Sequence, residues 1–180
     1  MAKERIGTLD DAFKFMKTKH GIQERKTGGY YYEHPRRVAS LVIKFKDSYR
    51  IEDLLIAALL HDTLEDTNAT YEQIENKFGT MIADIVLELT SDKTMTATAL
   101  SKREYLAAKM VKMSSYALVI KLCDRLDNLS DLDKTSTDFA LRYISETEYI
   151  LDEIDKHREV ITTTQHRIIH AIREKMNSYK

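Results

Sequence analysis

Residues 54–66 read Leu54-Leu55-Ile56-Ala57-Ala58-Leu59-Leu60-His61-Asp62-Thr63-Leu64-Glu65-Asp66, an apolar run that ends in four ionisable side chains. The apolar part is greasy on every side, which predicts a central, buried helix over about 52–66. Charged groups at the mouth of such a segment are costly, because an unpaired buried carboxylate loses several kcal/mol or is forced to protonate. A bound cation removes the conflict by neutralising the carboxylates and taking up the imidazole. If the helix runs through the motif, 100° per residue puts Glu65 at roughly 40° from His61, Asp62 at 100° and Asp66 at 140°. All four would then share one face. A His-Asp pair alone is expected by chance about 0.5 times in a chain of this composition, whereas the pair followed by Glu and Asp at these offsets is expected roughly 0.003 times.

The rest of the chain reads as helix after helix. Thr8 and Asp11 open an amphipathic stretch with Leu9, Ala12, Phe13 and Met16 at helical spacing. Gly21, Gly28, Gly29 and the run Tyr30-Tyr31-Tyr32 mark residues 21–33 as a loop. Pro35 suits the first position of the next helix, placing His34 at or near its N-cap, with Val38, Leu41, Val42 and Phe45 as the apolar stripe. Helices are expected from Thr70 to Phe78 with Gly79 as the stop, and from Met81 to Thr90. Residues 91–100 read as an irregular connection. Ser101 with Glu104 is a capping box that opens another helix. Further helices are expected over 116–132 and over 138–178, the latter weakened at Thr162, Thr163 and Thr164. With one Pro and five Gly in 180 residues, the chain lacks the turns of an all-β fold, and the fold class expected is all-α in a single domain over 1–180.

Composition narrows the function classes. A net charge of −1 argues against a nucleic-acid footprint, no apolar stretch reaches membrane-span length, and the N-terminus has no apolar signal core. The single cysteine, Cys123, rules out an internal disulfide or a Cys-rich zinc site and reads as a small core residue. The cytoplasm is the expected compartment; the oligomeric state is left open. Two other segments bear on the site. In 121–132, Leu122, Leu126 and Leu129 form an apolar stripe, with Asp124, Asn128 and Asp131 opposite, on a face that is either solvated or lines a cleft. His34 is a helix cap or a further ligand. Two His and two Asp form a donor set suited to Mn²⁺, Fe²⁺ or Mg²⁺ rather than to a thiolate-bound zinc.

Taken together, Arg25 ahead of His34-Pro35, then His61-Asp62-x-x-Glu65-Asp66, then Lys121-Leu-x-Asp124-Arg-Leu-x-Asn128 resemble the hydrolase domain of RelA/SpoT enzymes, within the HD-domain metal phosphohydrolases. The resemblance is to the stand-alone small alarmone hydrolases of the metazoan SpoT-homologue type. It covers about 8–150, including the Thr90–Thr94 stretch, and leaves a C-terminal helical extension of about 150–180 without a motif. It implies His34, His61, Asp62 and Asp124 as ligands of a metal, usually Mn²⁺, and Glu65 and Asp66 as the catalytic pair. It further implies Arg25 and Lys26 as nucleotide contacts and Asn128 near the ribose, with Lys102, Arg103 and Arg142 as weaker matches to phosphate-holding residues. The implied reaction removes the 3′-pyrophosphate from ppGpp or pppGpp, giving GDP or GTP and pyrophosphate. The metal would acidify a water and polarise a phosphoryl oxygen, with Glu65 or Asp66 handling the proton and Arg25 balancing the anion. The remaining length is too short for the family's synthetase domain. Two alternatives stay in view: an HD-type nucleotidase on another phosphorylated nucleotide, such as the 2′-phosphate of NADPH, and a non-catalytic helical nucleotide-binding module.

Overall fold

Thr8, Thr70, Ser114, Ser136 and Thr162 each open a helix with a hydroxyl that accepts one of the backbone amides a helix start leaves open. The computed structural model describes residues 2–91 and 101–179, and these residues are helical with a single isolated backbone bridge, Glu24 to Tyr30. The helices group into two compact units, Met1–Ser91 and Asp92–Lys180. The expected irregular connection over 91–100 lies outside the described residues apart from Ser91.

In the first unit, α1 (Leu9–His20) starts on Thr8, whose hydroxyl accepts from the Asp11 amide while the Asp11 carboxylate accepts from the Thr8 amide. Helix α2 (Glu33–Phe45) follows the Gly-rich loop, and α3 (Ile51–Leu60) packs against α1, α2 and α6. Leu54 to Leu60 are all buried in α3, so this helix is the centre of the unit. Burying each large apolar side chain contributes roughly 1.5–3 kcal/mol. A short α4 (Thr63–Asp66) leads to α5 (Tyr71–Phe78), which carries a Thr70–Gln73 capping box. Gly79 ends α5 at φ +84°, a conformation that favours glycine, and α6 (Thr80–Leu89) starts directly after it.

Two expectations about this unit need correction. Helix α2 starts at Glu33, so Pro35 is its third residue and His34 lies inside the first turn rather than at the cap. Proline is tolerated there because the first-turn amides need no intrahelical acceptor. The amides of Glu33 and His34 are satisfied instead by the Tyr30 and Tyr31 carbonyls of the preceding turn. The central helix also does not run unbroken to residue 66. It stops at Leu60, His61 and Asp62 form a turn, and α4 restarts at Thr63. His61 Nδ1 lies 2.8 Å from the Ala58 carbonyl oxygen and Thr63 Oγ1 donates to the Leu60 carbonyl at 2.7 Å. These side chains occupy carbonyls that helix amides would otherwise use.

In the second unit, α7 (Lys102–Lys112) opens on the expected Ser101–Glu104 box and packs against α9 (Thr137–His157). Helix α8 (Ser115–Ser130) packs against α9 and most extensively against α10 (Thr163–Asn177), and a 3-10 turn at Leu132–Lys134 links it to α9. The break within 138–178 falls at 158–162, next to the threonines, but their role is positive. Thr162 is the N-cap of α10, in a capping box with Gln165.

Candidate metal centre

The break at His61-Asp62 gathers the site. His61 caps the C-terminal end of α3 and His34 stands on the first turn of α2; both are buried, and Asp62 is half-buried beside them. One donor atom from each of His34, His61 and Asp62 can be chosen so that all lie within 4.8 Å of one another. The shared point is Asp62 Oδ2, 2.9 Å from His61 Nε2 and 3.6 Å from His34 Nε2. The two rings meet nearly edge to face, with centroids 5.2 Å apart.

The protonation logic follows from the partner of the other His61 nitrogen. A carbonyl oxygen can only accept, so Nδ1 donates to Ala58 and carries the proton of the neutral ring. That leaves Nε2 presenting a lone pair toward a carboxylate oxygen. Two lone pairs at this distance call for a cation between them, either a proton or a metal. A backbone carbonyl that fixes the tautomer of a histidine in this way is the usual support behind a metal ligand. The donor set of two imidazole nitrogens and one carboxylate therefore fits a divalent transition metal.

Glu65 and Asp66 sit on α4, immediately past the break. Glu65 is half-buried, and its Oε2 accepts from the Ser91 amide at 2.8 Å. Asp66 is exposed, and its Oδ2 lies 3.2 Å from the Tyr31 hydroxyl. The same hydroxyl donates to Asp62 Oδ2 at 2.6 Å. Tyr31 thus touches the site directly, a contact that reading 21–33 only as a loop missed; the signal was its position three residues before His34.

Arg25 and Lys26 lie on the Gly-rich loop. The Arg25 amide donates to the Gly29 carbonyl and the Gly28 amide donates to that of Arg25, which makes a tight turn at the tip. Gly28 and Gly29 both have positive φ there, where a side chain would be strained.

The second unit has a polar cluster of its own on α8. Asp124 is buried, 2.9 Å from Lys121 Nζ, and its Oδ1 accepts from Asn128 Nδ2 at 2.7 Å. Of the open alternatives for this face, full solvation is excluded, because Asp124 and Asp131 are buried and Asn128 is half-buried. Arg125, also buried, donates to Thr147 Oγ1 at 2.8 Å and to Glu146 Oε1 at 3.1 Å, and lies over the Tyr143 ring. Burial pushes the Cys123 thiol up, well away from a thiolate, in keeping with a core residue. The weaker basic matches are exposed and engage their own unit. Lys102 Nζ lies 3.7 Å from Glu146, Arg103 sits over the Tyr149 ring, and Arg142 donates to the Asp138 carbonyl.

Comparison with known proteins gives this geometry a family. The family described as HD domain matches residues 12–159, across both units. The chain belongs to the HD-domain family. A guanosine-3′,5′-bis(diphosphate) 3′-pyrophosphohydrolase of Aquifex aeolicus is 40% identical over 127 residues, 69% of this chain and 18% of that protein. The Homo sapiens protein of the same enzyme name is 36% identical over 130 residues, 70% of each chain. A solved metazoan ortholog of SpoT, described as hydrolysing ppGpp and playing a role in starvation responses, superposes with a TM-score of 0.73. It is 26% identical and the match covers 93% of this chain and 94% of that one. The chain spans less than a fifth of the length of the long bacterial relatives it matches. Among the described residues no helix is long and apolar enough to cross a membrane.

Proposed function

We propose that this chain is a metal-dependent guanosine-3′,5′-bis(diphosphate) 3′-pyrophosphohydrolase, acting on ppGpp or pppGpp in the cytoplasm with Mn²⁺ as the metal. The observation that carries this reading is the convergence of His34, His61 and Asp62 on one point, in a chain that matches 70% of the length of a human relative bearing that enzyme name. Asp124 is a further ligand by its motif alone. A divalent cation held by these residues would supply Lewis acidity toward the phosphoryl oxygens and an acidified water.

The side chains account for the rest. Water adds its oxygen to the phosphorus attached to the ribose 3′ oxygen, the bond to that oxygen breaks, and pyrophosphate leaves. One water proton has to be taken up and one delivered to the 3′ oxygen. Glu65 and Asp66 are the carboxylates one turn beyond two ligands, and the Ser91 amide holds Glu65 in one orientation. Arg25 and Lys26, on their tight turn, meet the anionic nucleotide, and arginine offers phosphate a bidentate fork. Asn128 contacts the ribose. Lys102, Arg103 and Arg142 complete the phosphate-holding set, a role that requires each to give up the contact just described.

The test is to incubate the protein with ppGpp and Mn²⁺, with and without EDTA, and to follow GDP and pyrophosphate by anion-exchange chromatography. Metal-dependent release of both is the expected result. Metal bound without turnover moves the reading to another phosphorylated nucleotide, for which NADPH is the first substrate to try.

A further inference from the structure

Tyr31 joins three parts of the first unit that the proposed chemistry treats separately. Its hydroxyl donates to Asp62 Oδ2 at 2.6 Å, on the same oxygen that faces His61 and His34. Asp66 Oδ2 lies 3.2 Å away on the same hydroxyl. The ring is held from both sides: it stacks on buried His20, with centroids 4.6 Å apart, and meets the edge of His34 at 5.9 Å. His20 is held in turn by Gln23, whose side-chain oxygen is 2.8 Å from Nδ1. The backbone is fixed as well, because the Tyr31 amide donates to the Gln23 carbonyl at 2.8 Å. Tyr30 and Tyr32 stack on each other, centroids 5.3 Å apart, with Lys17 over Tyr32.

A phenol held this firmly has little rotational freedom, so its single proton defines where the Asp62 oxygen sits. A carboxylate on a short side chain otherwise swings and presents either oxygen. Outer hydrogen bonds that orient a ligating carboxylate typically change metal affinity 10–100-fold when removed. Resting on the metal reading above, we infer that Tyr31 is a positioning residue: its hydroxyl holds the Asp62 carboxylate in the ligating orientation and ties the Arg25–Lys26 loop to the metal centre. The aromatic ring is needed for the stack on His20, and the hydroxyl alone for the orientation.

The two parts separate in Tyr31→Phe, which keeps the ring and removes the hydrogen bond. Metal-free protein is titrated with Mn²⁺ alone, free ion being read by electron paramagnetic resonance, for the wild type, Y31F and H61A. Thermal melting of the metal-free forms is run beside it. The expected result is Mn²⁺ affinity about tenfold weaker in Y31F, with a melting temperature close to wild type, and no specific binding in H61A. Wild-type affinity in Y31F would overturn the positioning role while leaving the metal site standing. No binding by the wild type would remove the metal reading and this inference with it. Should Y31F not fold, wild-type protein labelled with ¹³C at tyrosine Cζ is titrated with Zn²⁺. One of the ten tyrosine resonances should then shift on binding, and a spectrum in which none moves overturns the inference.

Discussion

The two units each bury a cluster of polar side chains, and they assemble it in different ways. In the second unit Asp124 sits mid-helix on α8, with Lys121 one turn away and Asn128 bonded to it. Buried Arg125 finds Glu146, Thr147 and Tyr143 on α9. Cation and anion are both supplied by the protein. In the first unit His34, His61 and Asp62 gather where α3 stops, and the protein places two imidazoles and a phenol against one carboxylate. There the two ring Nε2 atoms and the Tyr31 hydroxyl all converge on a single carboxylate oxygen, Asp62 Oδ2. The mid-helix cluster pairs its charges along α8 and with α9, whereas at the helix break two imidazoles and a carboxylate converge on one point.

Removing a side chain from the break should therefore have the largest consequences. His61→Ala or Asp62→Ala is expected to abolish Mn²⁺ binding and to take ppGpp turnover below detection, both in the assays already described. Glu65→Ala should part the two readouts, keeping Mn²⁺ while losing about 10²–10⁴-fold in rate, the usual span for a positioned general acid or base. If all three variants kept wild-type activity, the assignment of chemistry to the first unit would be wrong.

The second unit should respond in stability before activity. Arg125→Met removes the buried guanidinium with its bonds to Glu146 and Thr147, and losing a hydrogen bond to a charged group costs about 1.5–3 kcal/mol. Urea unfolding of the metal-free protein measures it. The comparison fails if R125M is as stable as wild type, or if its loss of stability appears only once metal is added.

How much of this contrast was legible beforehand depends on how local its cause is. Thr8 with Asp11, Ser101 with Glu104, and Thr70 with Gly79 announce helix ends at separations of three to nine residues, and each is found in place. Their hydrogen bonds depend only on near neighbours. The break at His61-Asp62 has no such mark. Hydrophobic periodicity continues through Leu64, and the break coincides with contacts from His61 and Thr63 back to the Ala58 and Leu60 carbonyls. Tyr31 was obscured for a different reason. In a run of three tyrosines the offset of three residues from His34 is the one local mark, and the stack on His20, eleven residues earlier, is a tertiary contact that periodicity does not show. On α8 the apolar stripe is visible in the sequence, but burial of the opposite face is a tertiary outcome, and with it went the role of Arg125.

The smallest expected effect distinguishes the units by their helix caps. Both α1 and α10 open on a capping box, but its third residue is ionisable Asp11 in the first unit and neutral Gln165 in the second. The Thr8 amide, Lys77 and the Thr8 hydroxyl hold the Asp11 carboxyl well below the usual carboxylate range. A depressed folded-state value means the contribution is present above the unfolded value, about pH 4, and is lost as the pH falls through the folded one. Asp11→Asn should therefore be less stable than wild type at pH 7, with the difference shrinking below about pH 4 as acid protonates Asp11 in the unfolded wild-type chain. Thr162→Ala removes a cap with no titrating partner and should cost about 1 kcal/mol at both ends of that range. Urea midpoints taken from pH 7 down to pH 3 decide it. A deficit in D11N that stays constant with pH would mean that the charge on Asp11 contributes nothing to the α1 cap, and the two boxes would then be equivalent.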